Sequence, residues 1–266
     1  MLLGIDHVVL AADDPEAAAA ELETKLGLVA SGGGRHEALG TFNRLIWLGD
    51  AYLELLGVFD RELAAGSWLG RPALEILERD GGLATWAIAV DDLDEALRWG
   101  PPSGGLVGPI DGERRRDDER VVRWRLARPE APSPTEPFVI EHDRAGAEWT
   151  DGERAARAEE QHPAGGRVRL AGLEVEAPSP AVAAGRIRKL LAASVEPAGR
   201  GVVRIRFGPH EARLAVPAVR TGALVDLVVD VPIRTRTARI GDCQIRLRGT
   251  PREVGASPHP EPSPDV

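Results

Sequence analysis

The chain has one cysteine, one methionine, one tyrosine and four phenylalanines in 266 residues, and its lysines are only Lys25 and Lys189. A lone Cys243 cannot close a disulfide within the chain, and without a cysteine cluster a thiolate zinc site is excluded. Basic residues are outnumbered, 33 Lys and Arg against 42 Asp and Glu, for a net charge of −9. That balance, with no basic stripe interleaved with aromatics, argues against nucleic acid and anionic membrane surfaces as partners. No apolar run reaches the roughly 18 to 20 residues of a membrane helix. The opening MLLGIDHVVL breaks at Asp6 and His7 and lacks the basic flank and cleavage site of a secretory signal. These absences predict a cytoplasmic protein whose partner is a small molecule or another protein. The dominance of Arg over Lys, with 30 Gly and 21 Pro, suggests a GC-rich bacterial genome.

What is present is ordinary for a globular protein: 43% apolar and 28% charged residues, enough to bury a sizeable core. Residues 4–12 read as an apolar, β-branched strand, after which Asp13 or Asp14 caps a helix with Pro15 in its first turn and its end near Gly27. Strand-like pieces follow in RHEAL, FNRLIWLG and AYLELLGV, giving the order βαβββ. After a helical connector at 68–79 the order returns: GGLATWAIAV, the capped helix DDLDEALRW, VVRWRLAR and PFVIEHD, with Gly-, Pro- and Arg-rich loops between them. With the Asp-Asp pairs in register, Gly82 falls on Gly4, Thr85 on His7 and Asp92 on Asp14, and matching strand ends puts Glu141 on Glu54.

The fold class read from this repeat is α+β, built of βαβββ modules. Two modules occupy residues 1–145, a charged linker 146–167, a degenerate third unit of the same order 168–251, and a Pro-rich disordered tail 252–266. The last unit reads as structural, covering a sheet edge or forming a homodimer contact.

Paired βαβββ sheets enclose a concavity, and the two-residue period of a strand aims His7 and Glu54 into it. A carboxylate there is costly unless a cation or histidine pairs with it. Histidine and carboxylates suit a divalent transition metal, and Glu141 supplies a second carboxylate, but the register offers Thr85 where a second histidine would stand. His7 reads equally as a core histidine satisfied by Glu54. His142 reads as a solvent-edge residue near Asp143. The segment GGGRHEALGTFN brings Arg35, His36 and Asn43 beside the concavity, where they can orient a carbonyl or carboxylate; it reads equally as an edge turn. Arg114 to Arg116 with Asp117 and Asp118 read as a solvated loop, and Cys243 as a buried inert thiol. No nucleotide-binding glycine motif or Gly-x-Ser-x-Gly elbow is present.

The combination GIDHVVLAADD, GGGRHEALGTFN, AYLELLGV and a second copy ending PFVIEHD resembles the vicinal oxygen chelate superfamily, in particular its glyoxalase-like domain branch. The resemblance covers residues 1–145 well and the third unit loosely. It implies the glyoxalase/bleomycin-resistance/dihydroxybiphenyl dioxygenase-like fold and a small-molecule cup. It also implies a divalent metal (Fe, Mn, Zn, Ni or Mg) on His7, Glu54 and Glu141, with lyase, isomerase or dioxygenase chemistry. His36 and Glu141 are then the catalytic candidates, and Arg35, Asn43, Trp47 and Trp86 the substrate-binding ones. Thr85 departs from the metal-binding pattern. The rival reading is a metal-free binding or sequestration protein with Trp47 and Trp86 as walls.

Overall fold

A computed structural model of the chain describes residues 1–99, 105–130, 133–199, 201–216 and 222–250. The expected tail at 252–266 lies outside them. The first unit runs β1 (Leu2–Ala11), α1 (Pro15–Leu26), β2 (Gly32–His36), β3 (Thr41–Leu48) and β4 (Ala51–Val58). Helix α1 starts where Asp14 accepts from the amides of Glu16 and Ala17, with Pro15 at its first turn, and stops at Gly27 in the left-handed region at φ 72°. Its buried face, Ala18, Ala19, Leu22 and Leu26, lies on the sheet. Each leucine so buried stabilises by about 1.5 to 3 kcal/mol.

Two short helices, α2 (Arg61–Gly66) and α3 (Gly70–Leu77), lead to the second unit: β5 (Gly82–Val90), a one-turn α4 (Leu93–Ala96), β6 (Leu106–Arg115), β7 (Val121–Pro129) and β8 (Phe138–His142). Strand β6 was not legible in the sequence, which shows Gly108, Pro109 and Gly112 there. Pairing with β7 over eight register positions overrides that local preference.

The eight strands close into a barrel in the order β1-β4-β3-β2-β6-β7-β8-β5. One seam is long, β1 antiparallel to β5. The other, between β2 and β6, is held by the single pair Arg35 and Arg115. Gly34 sits at that thin seam with φ 152°, and a Cβ there would lie 2.1 Å from the Arg115 carbonyl oxygen.

The remaining chain runs α5 (Asp151–Ala158), β9 (Val168–Glu176), α6 (Pro180–Leu191), β10 (Ser194–Pro197), β11 (Val202–Phe207), β12 (His210–Ala215), β13 (Ala223–Val229), β14 (Arg236–Ile240) and β15 (Cys243–Gly249). Its seven strands form one open sheet, β10-β11-β12-β9-β13-β15-β14. The pairings repeat those of the barrel: β12 is parallel to β9 as β4 is to β1, β13 antiparallel to β9 as β5 is to β1, and β15 parallel to β13 as β8 is to β5. So this half holds one complete βαβββ unit and part of another, which among the described residues has neither the helix nor the first hairpin strand. The apolar face of the sheet, with Leu173, Phe207, Val225 and Leu227, shares one core with Val8, Leu53 and Trp86 on the outer face of the barrel.

Candidate functional site

Inside the barrel three layers follow one another. Helix α3 closes one end with Ala73 and Ile76 against Val9, Ala11, Leu56 and Ala84. The other end holds Leu45, Trp47, Tyr52, Val122 and Trp149. Between them opens a cavity of about 1090 Å³ whose apolar wall includes Trp68, Trp124, Phe138 and Ile140.

The polar layer of this cavity is built by an irregularity in β1. A register shift between Ile5 and His7 breaks the alternation, and Asp6 is buried beside His7, where a regular strand would have turned one of them outward. Asp6 accepts from two imidazoles: His7 through Nδ1 at 2.6 Å and His142 through Nε2 at 2.9 Å. The Nε2 of His7 lies 3.5 Å from Oε2 of Glu54, whose Oε1 accepts from the Asn43 amide at 2.7 Å. Tyr52 stacks on His7 with ring centroids 4.5 Å apart. The result is a connected run, His142, Asp6, His7, Glu54 and Asn43, set in an apolar barrel where unpaired ionisable groups would cost several kcal/mol each. It ends on two buried atoms without partners among the described residues, Asn43 Oδ1 and His142 Nδ1.

Electrostatics follow from burial and pairing. Burial alone would raise the Asp6 carboxyl, but His142 and His7 outweigh it and hold Asp6 far below the usual carboxylate range. His36, whose Nδ1 lies 3.0 Å from the Thr41 hydroxyl, is pushed down by burial to about 4, so its imidazole is neutral at physiological pH. Burial, then the carboxylates of Asp6 and Glu54, raise Tyr52 well above the ordinary phenol.

A segment outside the barrel strands also enters the cavity. Residues 146–150, expected at the start of the charged linker, turn inward so that Glu148 and Trp149 are 4% and 6% exposed. Glu148 Oε2 accepts from Arg114 at 2.6 Å, its Oε1 from Arg116, and its backbone carbonyl from Arg157. Trp149 stacks on His142 with centroids 3.5 Å apart. Arg114, read from the sequence as part of a solvated loop, is buried on β6 and also donates to the Gly33 carbonyl.

The sequence candidates therefore divide. His7, His36, Asn43 and Glu54 are brought together on the cavity wall, with Arg35 at its rim, stacked over Phe59 and paired with Glu37. Glu141 is not brought to His7 and Glu54. Phe138 and Ile140 pack in the interior with Leu126, while Glu141 is at the cavity rim, paired with Arg125 at 2.6 Å, which also holds Asp94 on α4. Trp86 is on the outer face, against Phe207, its indole donating to the Pro134 carbonyl. Trp47 lies in the end cluster under Arg157 and Trp149 rather than on the cavity wall. Asp6, His142, Arg114 and Glu148 were missed; the polar pair Asp6-His7 inside an apolar strand was the available signal for the first.

The expected metal does not fit these residues. His7 and Glu54 are two donors, Thr85 offers only a hydroxyl, and Glu141 is engaged at the rim by Arg125. Among the described residues no group of three His, Cys, Asp or Glu side chains is placed to hold a metal ion.

The family described as Glyoxalase-like domain matches residues 5–191. A hypothetical protein from Staphylococcus aureus has a similar structure, with a TM-score of 0.76 at 16% identity, covering 94% of this chain and 100% of that one. A mutant of 4-hydroxymandelate synthase from Streptomyces coelicolor has a TM-score of 0.51 at 14% identity, covering 86% of this chain and 72% of that one. At such identities the likeness is one of fold. No curated protein matches the sequence. Among the described residues no helix is long and apolar enough to cross a membrane.

Proposed function

The chain belongs to the glyoxalase-like domain family and has the vicinal oxygen chelate fold, and from that premise we propose that its barrel binds a small oxygenated molecule and moves a proton on it through His7. The observation that carries this reading is the buried run from His142 to Asn43, polar groups that an apolar barrel has no structural need to enclose. With Nδ1 of His7 held by Asp6, Nε2 faces the cavity next to Glu54 and is the ring nitrogen that exchanges a proton with the ligand. Asp6 fixes the tautomer and stabilises the imidazolium that forms when Nε2 takes a proton. Asn43 holds one oxygen of Glu54 and leaves the other toward His7, so that Glu54 can relay the proton. His36, neutral, offers a hydrogen bond to a substrate oxygen. Among the described residues no three-ligand metal centre is formed, and none of these steps is routed through a metal.

The fitting experiment is exchange in D2O. A panel of small α-hydroxycarbonyl compounds, beginning with hydroxyacetone, is incubated with the protein and loss of the α C–H signal is followed by NMR. Exchange by the natural chain that disappears in His7→Ala and Glu54→Gln is expected; exchange unchanged in both variants refutes the proton-transfer role. A second reading, sequestration without turnover, is favoured by the aromatic wall of Trp68, Trp124 and Phe138, and predicts tight binding with no exchange.

A further inference from the structure

Resting on the reading of the barrel as a small-molecule cup, we propose that Arg114 is the subsite for a carboxylate carried by the ligand, and that Glu148 occupies it as an internal stand-in until the ligand displaces it. Five other arginines line the cavity, Arg35, Arg115, Arg123, Arg125 and Arg144, and all are at least partly exposed at its rim. Arg114 is the buried one, 4% exposed; its Nη1 donates to the Gly33 carbonyl and its Nη2 to Glu148, so Nη2 is the charged donor a ligand carboxylate would take.

The group now on Arg114 comes from outside the barrel strands, and its backbone is anchored separately by Arg157 on the Glu148 carbonyl. Glu148 belongs to no strand or helix and reaches the barrel from the turn segment between β8 and α5. Its backbone is in the left-handed region at φ 71°, which a non-glycine residue adopts only when its surroundings hold it there. Next to it Trp149 lies flat on His142, covering the second imidazole of the polar run. The pair thus presents to the cavity an anion on an arginine beside a ring on a histidine.

Exchange of occupants keeps the charges balanced. A ligand carboxylate would neutralise Arg114, while Glu148 keeps Arg116, which is 23% exposed and sits toward solvent. Neither side is left with a buried unpaired charge, the outcome that would otherwise forbid the exchange. The ligand class is accordingly a small organic carboxylate with an apolar or aromatic body, which the wall of Trp124 and Phe138 accommodates.

The experiment uses the full chain and two probes of nearly equal shape, phenylacetate and its uncharged counterpart phenylacetamide, titrated by calorimetry. Glu148→Gln removes the competing charge and should tighten phenylacetate by about tenfold, the scale of one charge-assisted hydrogen bond, with phenylacetamide unchanged. Arg114→Gln should abolish the preference for the carboxylate. In the unmutated chain phenylacetate, and not phenylacetamide, should speed amide hydrogen exchange at residues 146–149, a readout independent of how the variants fold. An unchanged probe preference in Glu148→Gln, or unchanged exchange at 146–149 while phenylacetate binds, overturns the assignment. Equal binding of both probes overturns it alone, leaving the cup intact, whereas binding of neither removes the cup reading with it.

Discussion

Acidifying the protein from pH 7 to about 4 should remove stability through one buried imidazole, His36. Its folded value is pushed to about 4 from 6.5, first by burial, with Arg114 and His7 adding to the effect and Glu54 opposing it. Between those two values the unfolded chain binds a proton that the folded chain refuses. The His36 contribution is therefore complete above 6.5 and drains away as the pH falls toward 4. A shift of that size corresponds to about 3 kcal/mol, a large share of the roughly 5 to 15 kcal/mol of a typical domain. His210, also pushed down by burial, acts in the same direction, while Asp6, held low, keeps its contribution until the pH falls below the whole window. The assay is urea unfolding followed by tryptophan fluorescence at several pH values, for the natural chain and for His36→Asn, which retains a polar partner for Thr41. The variant should lose about 3 kcal/mol less than the natural chain over the window. Parallel losses in the two proteins would refute the claim that His36 is buried and neutral.

Asp6→Asn leaves two imidazoles without their shared carboxylate and should destabilise by about 3 to 5 kcal/mol, seen as a lowered urea midpoint, and abolish proton exchange on any substrate found. Glu141→Gln breaks only a partly exposed pair with Arg125, so it should change stability by less than about 1 kcal/mol and leave proton exchange intact; loss of exchange would mean that Glu141 takes part in the proton transfer. Gly34→Ala forces a side chain against the Arg115 carbonyl and should speed backbone hydrogen exchange selectively in β2 and β6. Cys243, fully buried with its thiol pushed up to about 12 by burial, should resist Ellman's reagent at pH 8 in the folded protein and react only in urea.

Strand periodicity was enough to read the first unit and the inward aim of His7 and Glu54, because β1 and β4 pair in parallel with those side chains on one face. The same periodicity set Glu141 beside His7 and Glu54, whereas on β8 Phe138 and Ile140 pack in the interior and Glu141 is held at the rim by Arg125. Asp6 escaped because a register shift suspends the alternation locally. Arg114 and Glu148 escaped for a different reason: each stands in a charged stretch that reads as solvated, and only their meeting across 34 positions buries both. A tryptophan at 149 inside such a stretch was the one cue that the segment does not stay at the surface.

The two sides of the barrel are backed differently, and this bears on how such a protein diversifies. Strands β1, β4 and β5, which carry or adjoin the buried polar run, press their outer faces into the core shared with the second sheet, so substitutions there are felt on both sides of the strand. Strand β6 has mostly exposed residues and meets its neighbour β2 through one pair. Substitutions can accumulate along that margin while the buried polar groups stay fixed, the arrangement that lets a scaffold vary at its rim without rebuilding its interior.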